Sequence, residues 1–163
     1  MRVALAALLL AGCSQIEPSS APKGPPDLET AAIERGLVID PATVDLVGLY
    51  ARAGDRLCIT GGAGRYRIGA FVEYGEGQRC TARGTVARSG DTLTIAFGEG
   101  CRFDARYDGI RIAFPGRLPA ACAQSCEGRA SLEGLATERL SDSPSEAAAL
   151  RDPDDRPLCP STS

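Results

Sequence analysis

Seven cysteines and no histidine bound the chemistry open to this chain of 163 residues. Without His, Ser-His-Asp and Cys-His nucleophilic catalysis are excluded, as are His-ligated zinc and haem. Cys13 stands apart, at the end of a short apolar run. The other six, Cys58, Cys80, Cys101, Cys122, Cys126 and Cys159, are an even set, which in an exported chain reads as a disulfide framework. No CxxC is present, and the Cys122–Cys126 spacing does not suit a thioredoxin-type redox pair. A four-thiolate zinc site is the rival use of these thiols. The expectation is three intramolecular disulfides, with Cys159 joined to the domain body and the 117–127 segment held down. The pairing stays open, because a bridge needs Cα atoms within ~7 Å and sequence supplies no distances. No metal and no cofactor are expected.

Three further constellations could carry chemistry. Arg65, Arg67, Arg83, Arg88, Arg102, Arg106 and Arg111 fall on the polar side of alternating stretches and could grip carboxylates or phosphates. Glu73, Asp91, Asp104 and Asp108 interleave with them, so the simpler reading is a solvated face with cross-strand ion pairs. Asp152, Asp154 and Asp155 offer oxygen ligands, but not at the spacing of a calcium loop, and read as an acidic surface turn. Glu73, Asp104 and Glu133 lie on separate wet faces, with nothing to shift a pKa toward acid–base work. The Gly61–Gly64 run lacks the GK[ST] ending of a phosphate loop and has no helix behind it, so it reads as a connection. No catalytic residue is named, and the chain is expected not to be an enzyme.

The elements that must position these groups are strands. Residues 65–74 alternate with Tyr66, Ile68, Ala70, Val72 and Tyr74 on one side; 91–97, 101–107 and 110–114 repeat the pattern. Strands are also expected at 44–51, 56–60, 78–88 and 129–139, the last with Ala130, Leu132, Gly134 and Ala136 inward. Cys80 and Cys101 fall inward by the same alternation. Turn signals separate the strands, Asp108-Gly109 being the clearest. Asp27 caps a short helix at 28–35, and Ser143-Pro144-Ser145-Glu146 opens another that runs to about residue 150. The fold class is therefore all-β: a small antiparallel barrel of about eight strands with short N- and C-terminal helices.

Arg2, the apolar run 3–10 and the closing Leu10-Ala11-Gly12-Cys13 resemble the lipobox signal of bacterial lipoproteins. The resemblance implies cleavage before Cys13, lipid on that cysteine, and attachment to a membrane through it. Ser14 rather than Asp beside it implies the outer membrane over the inner, on the periplasmic side. The division that follows is a signal at 1–12, a lipidated Cys13 with a Pro/Ser-rich tether to 27, a disulfide-stapled barrel at 28–159, and a tail at 160–163. The domain is similar to lipocalin-like periplasmic lipoproteins, among them the membrane-bound lysozyme inhibitors. Val47-Gly48-Leu49-Tyr50 resembles the Gly-x-Trp opening of lipocalins, with Tyr in place of Trp; the inhibitors' Ser-Gly-x-x-Tyr loop is absent.

The formal net charge of −3 gives no reason to expect nucleic acid as a partner. The expectation is a non-enzymatic envelope module that binds a protein or cell-wall partner, an inhibitor being one case. The alternative is a lipocalin-like carrier of a small hydrophobic ligand, its cup lined by Tyr66, Ile68, Phe97, Phe103 and Phe114.

Overall fold

In the computed structural model, which describes residues 27–37, 40, 43–62 and 64–159, the alternating stretches form eight antiparallel strands. These are β1 (Gly48–Arg52), β2 (Asp55–Gly62), β3 (Arg65–Gly75), β4 (Gln78–Ser89), β5 (Thr92–Ala96), β6 (Arg102–Tyr107), β7 (Arg111–Ala113) and β8 (Ala136–Ser141). Each pairs with its neighbour in sequence, and β1 pairs with β8, so the sheet closes into a barrel without free edges. Two helices flank it, α1 (Leu28–Glu34) and α2 (Pro144–Ala149), and a 3-10 helix (Ala120–Ser125) lies between β7 and β8. The expected signal at 1–12, the lipid-bearing Cys13, the tether up to residue 26 and the tail 160–163 lie outside the described residues.

Local chemistry sets the turns and caps. Ala53 and Gly54 both take positive φ, 50° and 103°, the mirror-image turn whose twist suits adjoining strands. In the β6–β7 turn the Asp108 carboxylate accepts from the backbone N–H of Ile110 and Arg111, at 3.0 and 2.6 Å. Asp27 caps α1 through Thr30 N, and Ser143 caps α2 through Glu146 N, as read from the sequence.

The period-2 pattern drives Leu57, Ile59, Ile68, Val72, Leu93, Ile95 and Ile112 into the lumen, none more than 1 % exposed. Full burial of each such side chain is worth about 1.5–3 kcal/mol. Charged residues such as Arg67, Arg102, Asp104 and Arg106 face outward and are exposed. An apolar lumen with a charged outside is the inverse of a membrane-spanning barrel. Among the described residues no helix is long and apolar enough to cross a membrane.

Several details differ from the sequence reading. Tyr74 and Ile110, expected inward at strand ends, are exposed because the chain leaves the pleat there. Three differences are larger. First, residues 44–47 do not extend β1; they cross one end of the barrel instead. Second, β8 begins only at Ala136. Gly134, at φ 69°, turns the chain first and shifts the pleat by one residue. Thr137 is therefore the fully buried member of β8, while Leu132 joins the core from the preceding loop. Third, the outer face is not wet throughout. Cys58, Phe71, Ala147, Leu158 and Cys159 form a second buried cluster, where α2 and the C-terminal segment cover β2 and β3. Gly69 makes this possible: a Cβ there would strike the Leu158 carbonyl.

Three disulfides are present, as expected: Cys58–Cys159, Cys80–Cys126 and Cys101–Cys122. Cys80 and Cys101 point inward, as their alternation implied. The first bridge joins the C-terminal segment to β2 across 101 residues of sequence. The other two hold the 3-10 helix region against β4 and the start of β6.

Candidate functional site

The two ends of the barrel are closed by different means, one by a polar network and the other by aromatic rings. At one end, Arg139 of β8 and Arg88 of β4 turn inward. Arg139 lies 4.9 Å from the centroid of the Tyr50 ring and Arg88 5.0 Å from that of Tyr107. Arg139 donates to the Tyr50 and Tyr107 hydroxyls and to the carbonyls of Asp45 and Val47. Arg88 donates to the carbonyl of Val44, and Tyr50 donates to that of Leu46 at 2.8 Å. Four consecutive carbonyls, 44 to 47, thus accept from side chains of the barrel end. Burial, with Tyr107 close by, pushes the Tyr50 phenol well above its ordinary value, so it stays a proton donor.

Arg88 was expected on the wet face. Counting by twos from Cys80 places it on the inward side with Val86, and it reaches the lumen rim. Arg139, Tyr50 and Tyr107 were not singled out as a set. The signal available was a basic residue close to the inward phase of the last strand, opposite the Gly48-Leu49-Tyr50 opening.

At the other end Phe97, Phe103 and Phe114 pack together in tilted and edge-to-face arrangements, with ring centroids 4.9 to 6.2 Å apart. Ile68 is buried and Tyr66 packs against the same core. The five residues assigned to a cup are therefore partners in one apolar cluster.

Between these ends, on the outside, lies a polar groove of about 240 Å³. Its floor is the outward side of β4, Arg79, Thr81 and Arg83, which alternation spaces along one strand. One wall is the stretch from Gln124 to Glu127, held by Cys80–Cys126. The opposite wall carries Asp154 and Arg156 and is tied down through Cys58–Cys159. Each wall has only an isolated β-bridge, Cys80 with Cys126 and Arg151 with Pro157. The disulfides act with two hydrogen bonds, Glu127 N–H to the Arg79 carbonyl and Arg83 Nε to the Pro157 carbonyl, to hold the walls against β4.

The acidic turn behind this wall is not a simple surface feature. Asp152 is buried and receives the guanidinium groups of Arg83 and Arg156. Burial alone would raise its carboxyl. The Arg156 backbone N–H and side-chain donation from Arg83, together with both positive charges, outweigh that and hold it down at about 2. Asp154 pairs with Arg156 at 2.8 Å, and Asp155 with Arg151 at 3.6 Å. Among the described residues no group of three His, Cys, Asp or Glu side chains could hold a metal ion.

The remaining constellations stay apart. Thr94 donates to Asp104 at 2.7 Å, and Leu118 N donates to Glu133 at 3.1 Å. Glu73 is exposed on β3. Of the arginine stripe, Arg106 pairs with Asp91, Arg111 with Glu138 and Arg83 with Asp152, while Arg65, Arg67 and Arg102 make no ion pair among the described residues. Arg79 and Arg156, which the stripe did not include, complete the groove.

No protein-family model, curated protein or solved structure matches this chain.

Proposed function

We propose that this chain is a membrane-anchored protein of the cell envelope. Held by lipid on Cys13 on the periplasmic side, most simply at the outer membrane, it acts as a non-enzymatic binding module. The Leu10-Ala11-Gly12-Cys13 ending supports the anchor. The observation that carries the binding reading is the groove over Arg79, Thr81 and Arg83, whose two walls are each fixed by a disulfide. The lumen gives less support to a carrier role, because the aromatic rings assigned to a cup pack on each other. A rigid wall on a filled core suits recognition of a protein or cell-wall partner.

The test is site-specific. A photo-reactive amino acid is placed at Gln124 on the groove wall, or at exposed Leu140 on β8, in otherwise unaltered full-length protein. Adducts from Gln124 alone, in a membrane fraction that Cys13→Ala empties, support the reading. Equal labelling from both positions, or a wild-type protein that never reaches the membrane, would refute it.

A further inference from the structure

The groove has a chemical character that narrows what it takes. Every guanidinium lining it is oriented by a carboxylate. Arg79 Nε meets Glu127 at 3.2 Å, Arg83 Nη2 meets Asp152, and Arg156 meets both Asp152 and Asp154. Arg83 Nε also donates to the Pro157 carbonyl at 2.9 Å. These contacts use one edge of each fork. Among the described residues the Nη1 groups of Arg79, Arg83 and Arg156 make no hydrogen bond or ion pair, and neither do the hydroxyls of Thr81 and Ser125. Donors held in place but unused are what a ligand oxyanion requires, because little side-chain entropy remains to be lost on binding.

Charge decides which oxyanion. Arg79, Arg83 and Arg156 share the lining with Glu127 and Asp154, and the buried Asp152 behind it pairs with two of the three, so three positive charges meet three negative ones. A dianionic phosphate would find no net positive field. A single carboxylate fits the fork geometry, provided its molecule also brings donors for Glu127 and Asp154, which face the same space. That combination is the end of a peptide: a carboxylate with an amide or ammonium a few bonds away. The available volume, about 240 Å³, suits roughly one or two residues rather than a long segment.

We infer that the groove over Arg79, Thr81 and Arg83 is a recognition site for the carboxylate end of a short peptide. The inference deepens the binding-module reading and rests on it. The same chemistry could come from a free peptide or from a peptide end borne on an envelope polymer or protein.

The test is a titration of the full ¹⁵N-labelled chain in detergent, followed by amide and Arg Nε–H resonances. The probes are alanyl-alanine, its C-terminal amide, and inorganic phosphate. A wall fragment with free peptide carboxylates is titrated in parallel to separate the two sources. Saturable shifts confined to β4, the Gln124–Glu127 stretch and Arg156 are expected with the dipeptide. The amide should bind about tenfold more weakly or worse, since it leaves the guanidinium forks unmatched. Tighter binding of the wall fragment than of the dipeptide supports a polymer source; the reverse supports a free peptide. Thr81→Val, which removes no side-chain hydrogen bond among the described residues, should weaken the dipeptide several-fold while leaving Tm unchanged. Arg79→Gln should do so more strongly.

Equal binding of dipeptide and amide, preference for phosphate, or no saturable shift at millimolar probe would overturn the inference. If cross-linking from Gln124 succeeds while the dipeptide fails, only this assignment falls. If the dipeptide binds while Gln124 captures nothing in the envelope, the broader reading falls instead.

Discussion

Arg139 on the last strand lies over the ring of Tyr50 on the first, 4.9 Å from its centroid, and also donates to its hydroxyl at 2.7 Å. The seam where the barrel closes is therefore fastened by a side-chain pair as well as by the β1–β8 ladder. The same guanidinium reaches the carbonyls of Asp45 and Val47, which ties the incoming chain to the seam.

Arg139→Met should accordingly destabilise the barrel by about 2 kcal/mol or more, because several buried acceptors lose their donor together. Arg139→Lys should recover only part of this, since an ammonium cannot reproduce a planar fork. Urea unfolding followed by tyrosine fluorescence measures both. Wild-type stability in the Met variant would show that the network contributes nothing.

Asp152 makes stability depend on acid in a defined window. Its folded-state pKa is depressed to about 2 from an ordinary 3.8. In that interval the unfolded chain binds the proton and the folded chain does not. The stabilisation is thus complete above about pH 4 and fades as the pH falls through about 2. Asp152→Asn should unfold more easily than wild type at neutral pH, and the gap should close toward pH 2. A gap that stays constant across this range contradicts the assignment.

Gly69→Ala tests the cover over the second core. The added methyl meets the Leu158 carbonyl, so the C-terminal segment must move away or the strand must bend. A loss of about 2 kcal/mol is expected. Faster hydrogen exchange should be confined to 150–159 and to β2 around Cys58. Unchanged exchange there would mean that the segment is not held in the way described.

The bridges can be read directly by non-reducing peptide mapping, with pairs 58–159, 80–126 and 101–122 expected. Replacing Cys58 and Cys159 together with Ser should cost the most, about 4 kcal/mol, because that bridge closes the longest loop. A larger loss from the 101–122 pair would reverse this ranking.

The barrel was legible because alternation is a local signal with a global meaning. Ile68, Ile95 and Phe103 each announce an inward face within their own strand, whereas Asp108-Gly109 signals a turn without its register, since Tyr107 pairs with Ile112 and Ile110 is left exposed in the turn. The eighth strand was misphased because the small residues Ala130, Gly134 and Ala136 mimic an inward row, while Gly134 in fact reverses the chain. Cys159 could be assigned to the domain body by counting thiols. Its partner Cys58 could not be identified, since the contact depends on how the C-terminal segment lies over Gly69. The groove was the least legible feature. Arg79, Ser125 and Arg156 come from three segments, and each alone reads as an ordinary surface residue. Asp152 looked like a member of a solvated acidic turn, because burial by a distant strand leaves no mark in the residues beside it.

Photo-cross-linking in living cells tests the central claim most directly. Full-length protein carrying the photo-reactive residue at Gln124 is irradiated, and the envelope is fractionated alongside Cys13→Ala and the Leu140 control. The account predicts membrane-bound adducts from Gln124 that decline in Thr81→Val and are absent from Leu140. Adducts of equal yield at both positions, or adducts from Gln124 indifferent to Thr81→Val, would contradict it.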